Sequence, residues 1–145
     1  MMLFRHMIGV AAMLAALASS AIAQSPDLPT GDRGAIVAVI ERQLAAFQAD
    51  RAVEAFDYAS PGIQRIFRTP EIFMDMVRTG FMPVYRPREV RFLDLVIEGG
   101  RLTQRVLLVG PDGVPVIAHY FVERQPDGGW RINGVTLHRS GEQTT

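Results

Sequence analysis

The chain has no cysteine, no lysine, only three histidines and no apolar run long enough to span a membrane. Without cysteine there can be no disulfide, no thiolate metal ligand and no lipidated cysteine at a signal-cleavage site. All 15 basic residues are arginines, matched by 15 acidic ones. They are scattered, and no basic stripe points to nucleic acid or to an anionic membrane. The HExxH, P-loop and GxSxG patterns are absent. Beyond the N-terminal segment only His119 and His138 remain, too few for a typical histidine-based metal site. No metal and no cofactor is expected.

What is present begins with Arg5, a run of apolar or small residues from Met7 to Ala18, and Ala21-Ile22-Ala23 before Gln24. A charged start, a short apolar core and a small-x-small site make a cleavable secretion signal. A membrane-spanning helix needs about 20 apolar residues, more than this run supplies. The expectation is export to the periplasm or the exterior, with residues 1–23 removed and no membrane association afterwards. Residues 24–31, with two prolines and no apolar period, are expected to be a flexible leader. Residues 32–139 are expected to form one domain, and 140–145 a disordered tail.

The first half of that domain has helical periodicity. Ile36, Val39, Ile40, Leu44 and Phe47 repeat at three- and four-residue spacing, with Asp32 placed to cap them. Asp50 is placed to cap a short helix with Val53 and Phe56 inward. Ser60-Pro61 and Thr69-Pro70 each pair a capping hydroxyl with proline at the first helical position. They open helices with stripes Ile63, Ile66, Phe67 and Ile72, Phe73, Met76, Val77. Phe81 to Pro87, with two prolines, is expected to be a loop.

From Arg88 the period becomes two. Four β-runs are separated by Gly99-Gly100, Pro111-Asp112-Gly113 and Pro126-Asp127-Gly128, all tight-turn signals. The fold expected is α+β, with helices on one face of a curved four-stranded antiparallel meander. Counting outward from the turns gives a register. On one face it aligns Glu98, Arg101, Glu123 and Arg131; then Val96, Thr103, Phe121 and Asn133; then Asp94, Arg105, His119 and Val135; then Phe92, Leu107, Ile117 and Leu137. The other face is mostly apolar and suits the helices. Its polar members are Gln104, Tyr120 and Thr136, with Arg91 and His138 at one edge.

Those inward polar residues, with Asp57 and Tyr58 from the helical half, are the candidate lining of a ligand pocket. No strand carboxylate faces inward, and general acid–base catalysis needs a group that exchanges protons near neutral pH. Gln104 is expected to satisfy the Tyr120 hydroxyl. His119 reads as a ladder member beside Arg105, and Trp130 is expected to pack over Arg124. Arg86 and Arg88 flank Pro87 at the expected pocket mouth, where they are placed either to bind an anion or to stand solvated. On the outer face Phe92, Leu107, Ile117, Leu137, Phe121 and Val135 form an apolar patch, the pattern of a contact surface. The partner expected there is a second copy or an envelope protein.

The stretches Val39–Phe47, Ala59–Gln64, Phe67–Phe73, Val84–Pro87 and Gly129–Ile132 carry a resemblance. The helix-then-meander order ending in Gly129-Trp130-Arg131-Ile132 is similar to the nuclear-transport-factor-2-like cone fold. More closely, the chain resembles a bacterial family known as domain of unknown function 4864. That resemblance brings no activity, and the cone fold is what it implies, with a pocket between sheet and helices. Two functions are therefore expected as alternatives. One is a non-catalytic exported module holding a small apolar ligand or pairing with another protein. The other is a small isomerase, dehydratase or hydrolase using Tyr120 with Asp50 or Asp57.

Overall fold

A computed structural model describes residues 25–141; the secretion-signal expectation and the last four residues lie outside them. Five helices precede four strands: α1 (Thr30–Gln48), α2 (Ala52–Asp57), α3 (Pro61–Phe67), α4 (Pro70–Gly80) and α5 (Met82–Tyr85), then β1 (Glu89–Glu98), β2 (Arg101–Val109), β3 (Pro115–Arg124) and β4 (Trp130–Arg139). The strands form one open antiparallel sheet in the order β1-β2-β3-β4, the α+β meander expected.

Local chemistry explains the starts of α3 and α4. The Ser60 and Thr69 hydroxyls accept from the amides of Ile63 and Ile72, and proline follows each at the first helical position. Asp32 does not cap α1, which begins two residues earlier at Thr30. Its carboxylate accepts from Arg124 at 2.7 Å instead. Asp50 does not cap α2 either. It sits in the left-handed region at φ 54°, and its side chain is taken by Tyr85 and Arg86. Phe81–Pro87 is not wholly a loop: Pro83 falls in the first turn of α5, where its missing amide costs no hydrogen bond.

The apolar stripe of α1, with Phe56, Phe73, Met74, Val77 and Val84, is buried against Leu95, Val106, Leu108, Ala118, Tyr120, Val122 and Ile132 of the sheet. Phe73 is central, with ring centroids 5.9, 5.4 and 5.7 Å from Phe47, Phe56 and Phe67. Truncating so buried an aromatic to alanine costs about 3–5 kcal/mol. Val53, Ile66 and Ile72, expected inward, are exposed. Each lies on the face of its helix turned away from the core, and α3 buries no residue fully.

The register follows the turns and then departs from them at two bulges. Glu98 pairs with Arg101, Val96 with Thr103 and Leu95 with Gln104, but beyond a bulge Phe92 pairs with Val106. Thr103 to Leu108 pair with Phe121 to Val116 as expected. Val122 pairs with Ile132, but Phe121 then pairs with Gly134, leaving Asn133 as an extra residue. One extra residue moves every following side chain to the opposite face. Each bulge is held by a buried polar side chain. The Gln104 amide donates to the Leu93 and Asp94 carbonyls at 3.0 and 3.3 Å. The Ser60 hydroxyl donates to Asn133 Oδ1 at 2.7 Å. Gly134, at φ 151°, occupies a conformation that favours glycine, and a Cβ there would meet the Phe121 ring at 3.4 Å.

The α2–α3 connection also covers part of the β4 edge. Ser60 donates its amide to the Ile132 carbonyl at 2.8 Å, Ile132 donates to Tyr58 at 2.9 Å, and Ala59 forms an isolated parallel bridge with Ile132. The helical half thus contributes a single bridge position to the sheet.

Candidate functional site

The two bulges decide where a site can be. Beyond Asn133, β4 turns Val135 and Leu137 toward the helices and sends Thr136 and His138 outward. Beyond the β1 bulge, Phe92 turns inward and Arg91 outward. Phe92, Val135 and Leu137 accordingly pack, half-buried, against the core. The six-residue outer patch is therefore reduced to Leu107, Ile117 and Phe121. Phe121 is itself buried, with the Arg101 guanidinium 3.7 Å above its ring.

The inward polar set also comes apart. Tyr120 is fully buried, and its hydroxyl has no hydrogen-bond partner. Burial pushes the phenol well above its ordinary pKa. Gln104 does not satisfy it: its amide nitrogen is turned to the carbonyls of Leu93, Asp94 and Arg105, and its oxygen accepts no bond from the Tyr120 hydroxyl. Thr136 lies exposed on the outer face beside His138. Asp57 and Tyr58 line a separate surface groove with Arg42, Trp130 and Arg131. There the Tyr58 hydroxyl donates to Glu54 at 3.3 Å, and burial, then the Glu54 charge, raise its pKa. Arg124 lies over the Trp130 ring at 5.2 Å, as expected.

Asp50 belongs to a different cluster. It accepts from the Tyr85 hydroxyl and, at 2.8 Å, from Arg86. Arg78 donates to the Tyr85 hydroxyl at 3.2 Å. The Tyr85 hydrogen bond, more than the two arginine charges, lowers the Asp50 pKa. Arg86 also donates to the Phe47 carbonyl at 2.6 Å, satisfying the C-terminal end of α1, and lies 3.9 Å over the Tyr85 ring. Arg86 is thus a tether and not a free anion receptor. Arg88 donates to the Pro111 carbonyl at 3.3 Å. Neither Asp50 nor Asp57 bonds the Tyr120 hydroxyl, which has no partner.

A cavity of about 210 Å³ lies elsewhere, between the helices and the first half of β4. Gln43, Phe47 and Ala59 line it with Phe73, Val77, Val84, Ile132, Gly134 and Val135, while the half-buried Ile63, Phe67, Met76 and Phe81 complete its wall. No lining residue titrates, and Gln43 carries the only polar side chain. Its amide is committed to the Ala55 carbonyl at 3.1 Å. None of the sequence-predicted pocket residues lines this space. Val135, expected on the outer surface, lies in its floor.

Nothing in the helical periodicity distinguishes a cavity wall from a filled core, so these residues read only as core. The one available signal was Asn133-Gly134 inside a strand, a pattern that suggests a bulge. It would have turned Val135 inward. Among the described residues no cluster of three or more metal-ligating side chains is present, and no helix is long and apolar enough to cross a membrane.

No curated protein and no solved structure matches the chain. One family model does, over residues 29–145, and it covers all nine elements. The chain belongs to the family described as Domain of unknown function (DUF4864).

Proposed function

We propose that the protein is a non-catalytic, exported binding module that holds one small apolar molecule between its helices and β4. The lining of the cavity carries this reading: aromatic and aliphatic side chains, one amide and no acid or base. Apolar walls with a few polar groups are the usual make-up of a small-molecule pocket. A cavity of about 210 Å³ suits a single aromatic ring or a short acyl chain. For scale, an apolar cavity of about 150 Å³ binds benzene. With its NH2 donating to Ala55, the Gln43 side-chain oxygen is the one lining group able to accept from a polar end of the ligand. The same proposal includes export, supported by the Met1–Ala23 pattern, and a cone-like fold, supported by the helix-then-meander order around a pocket. It also includes a homodimer or envelope-protein contact on the outer face, now confined to Leu107 and Ile117.

The ligand reading is tested by denaturing natively purified protein and analysing the released small molecules by mass spectrometry. The parent should release an apolar compound that Ile63→Trp, which plugs the cavity from its wall, does not. Equal release from both, with both folded by circular dichroism, would place the molecule elsewhere and end the reading.

A further inference from the structure

The outer face of the sheet holds a second arrangement unrelated to the cavity. His119 and His138 are the only histidines among the described residues, and an unbulged β4 would place them on opposite faces. The extra residue Asn133 brings them onto one face as diagonal neighbours, since His119 pairs with Thr136 and Ile117 with His138. The two rings lie 4.2 Å apart between centroids, with their planes at 41°.

Both rings are held at one nitrogen. His119 Nδ1 is 2.8 Å from Glu98 Oε2. A carboxylate only accepts, so Nδ1 carries the hydrogen and a neutral ring keeps its lone pair on Nε2. Arg105 grips Glu98 from the other side and also donates to Asp94 at 3.1 Å. His138 Nε2 lies 3.0 Å from Thr136 Oγ1. That hydroxyl can accept from it, which leaves the lone pair on Nδ1. Metal-ligating histidines are oriented in this way, with the second ring nitrogen donating to a carboxylate or another acceptor.

We propose that His119 Nε2 and His138 Nδ1 together bind one divalent transition-metal ion of the copper–zinc class, with Glu98 as the positioning residue. Imidazole nitrogen suits these ions, whereas magnesium and calcium require oxygen ligands. With two protein ligands, the remaining coordination positions fall to water or to a group on another molecule. The ion ties β3 to β4 and, through Glu98, to β1.

The test is calorimetric titration of the untagged full chain with copper(II), zinc and magnesium chlorides at pH 7.5, with copper(II) electron paramagnetic resonance. Copper and zinc should bind and magnesium should not. His119→Ala and His138→Ala should each weaken binding at least about 10-fold and remove one nitrogen coupling from the copper spectrum. Glu98→Gln should weaken binding roughly 10- to 100-fold while both couplings remain. His138 is exposed, so its variant keeps the fold and is decisive alone. The full chain also contains His6, so the readout is the difference between parent and variant. Unchanged affinity and couplings in His138→Ala, or no zinc binding by the parent, would overturn the assignment.

Discussion

Replacing Tyr120 with phenylalanine should make the protein more stable. The ring is fully buried and its hydroxyl has no partner, the Gln104 amide nitrogen being turned to backbone carbonyls. A hydroxyl stripped of water without a replacement bond costs about 1–3 kcal/mol. Removing it leaves a void no larger than one oxygen atom, a penalty well under about 1 kcal/mol at about 24 cal/mol per Å³. The net expectation is a gain of about 1–2 kcal/mol, or about 4 °C in Tm per kcal/mol for a domain of this size. Urea titration and thermal melting of both proteins read it directly. A pH series adds a second readout. Burial holds the folded phenol above its ordinary value of 10.0. As pH rises past 10 the unfolded chain loses the proton and the folded chain keeps it, so stability falls. Tyr120→Phe should abolish that share of the fall. A variant less stable than the parent by more than about 0.5 kcal/mol would refute the reasoning, because the hydroxyl would then have to be satisfied in the native state.

Other outcomes follow from the same contacts. Ser60→Ala removes both the α3 cap and the bond that pins the Asn133 bulge, and should cost about 1–2 kcal/mol in urea titration. Glu98→Gln should cost at most about 1 kcal/mol near neutral pH, given its partial exposure. Because the folded Glu98 pKa is lowered, the difference from the parent should be present above the ordinary 4.5 and fade as pH falls through the lower folded value. If the outer face is a contact surface, Leu107→Glu should lower the mass measured by light scattering; the same monomeric mass for both proteins would remove that surface from the account.

How much of this was legible in the sequence depended on distance from a local signal. The turns at Gly99-Gly100, Pro111-Asp112-Gly113 and Pro126-Asp127-Gly128 fixed the pairing of the residues nearest them, and Ser60 and Thr69 capped their helices as expected. Both are decided within a few residues. Asp32 and Asp50 looked equally good as caps, but each had a distant partner to satisfy, Arg124 in one case and Tyr85 with Arg86 in the other. The far ends of β1 and β4 were misassigned because a single bulge reverses every later residue. One bulge left Asn133-Gly134 as a trace, while Leu93-Asp94 left none. The inward direction of Tyr120 was legible and the place of the pocket was not, since a pocket exists only where packing is incomplete and a list of inward residues does not show where that is. The juxtaposition of His119 with His138 was hidden for the same reason as the position of Val135.

The most direct test of the central claim is a titration of methyl-labelled protein with toluene, followed by carbon–proton correlation spectra. The account predicts saturable shifts of the Val77, Val84, Val135 and Met76 methyls, with Val106 and Val122 unmoved. If the methyls of those four residues stay still, or shift no more than those of exposed Val53, the space between the helices and β4 does not take up an apolar molecule and the proposed function is wrong.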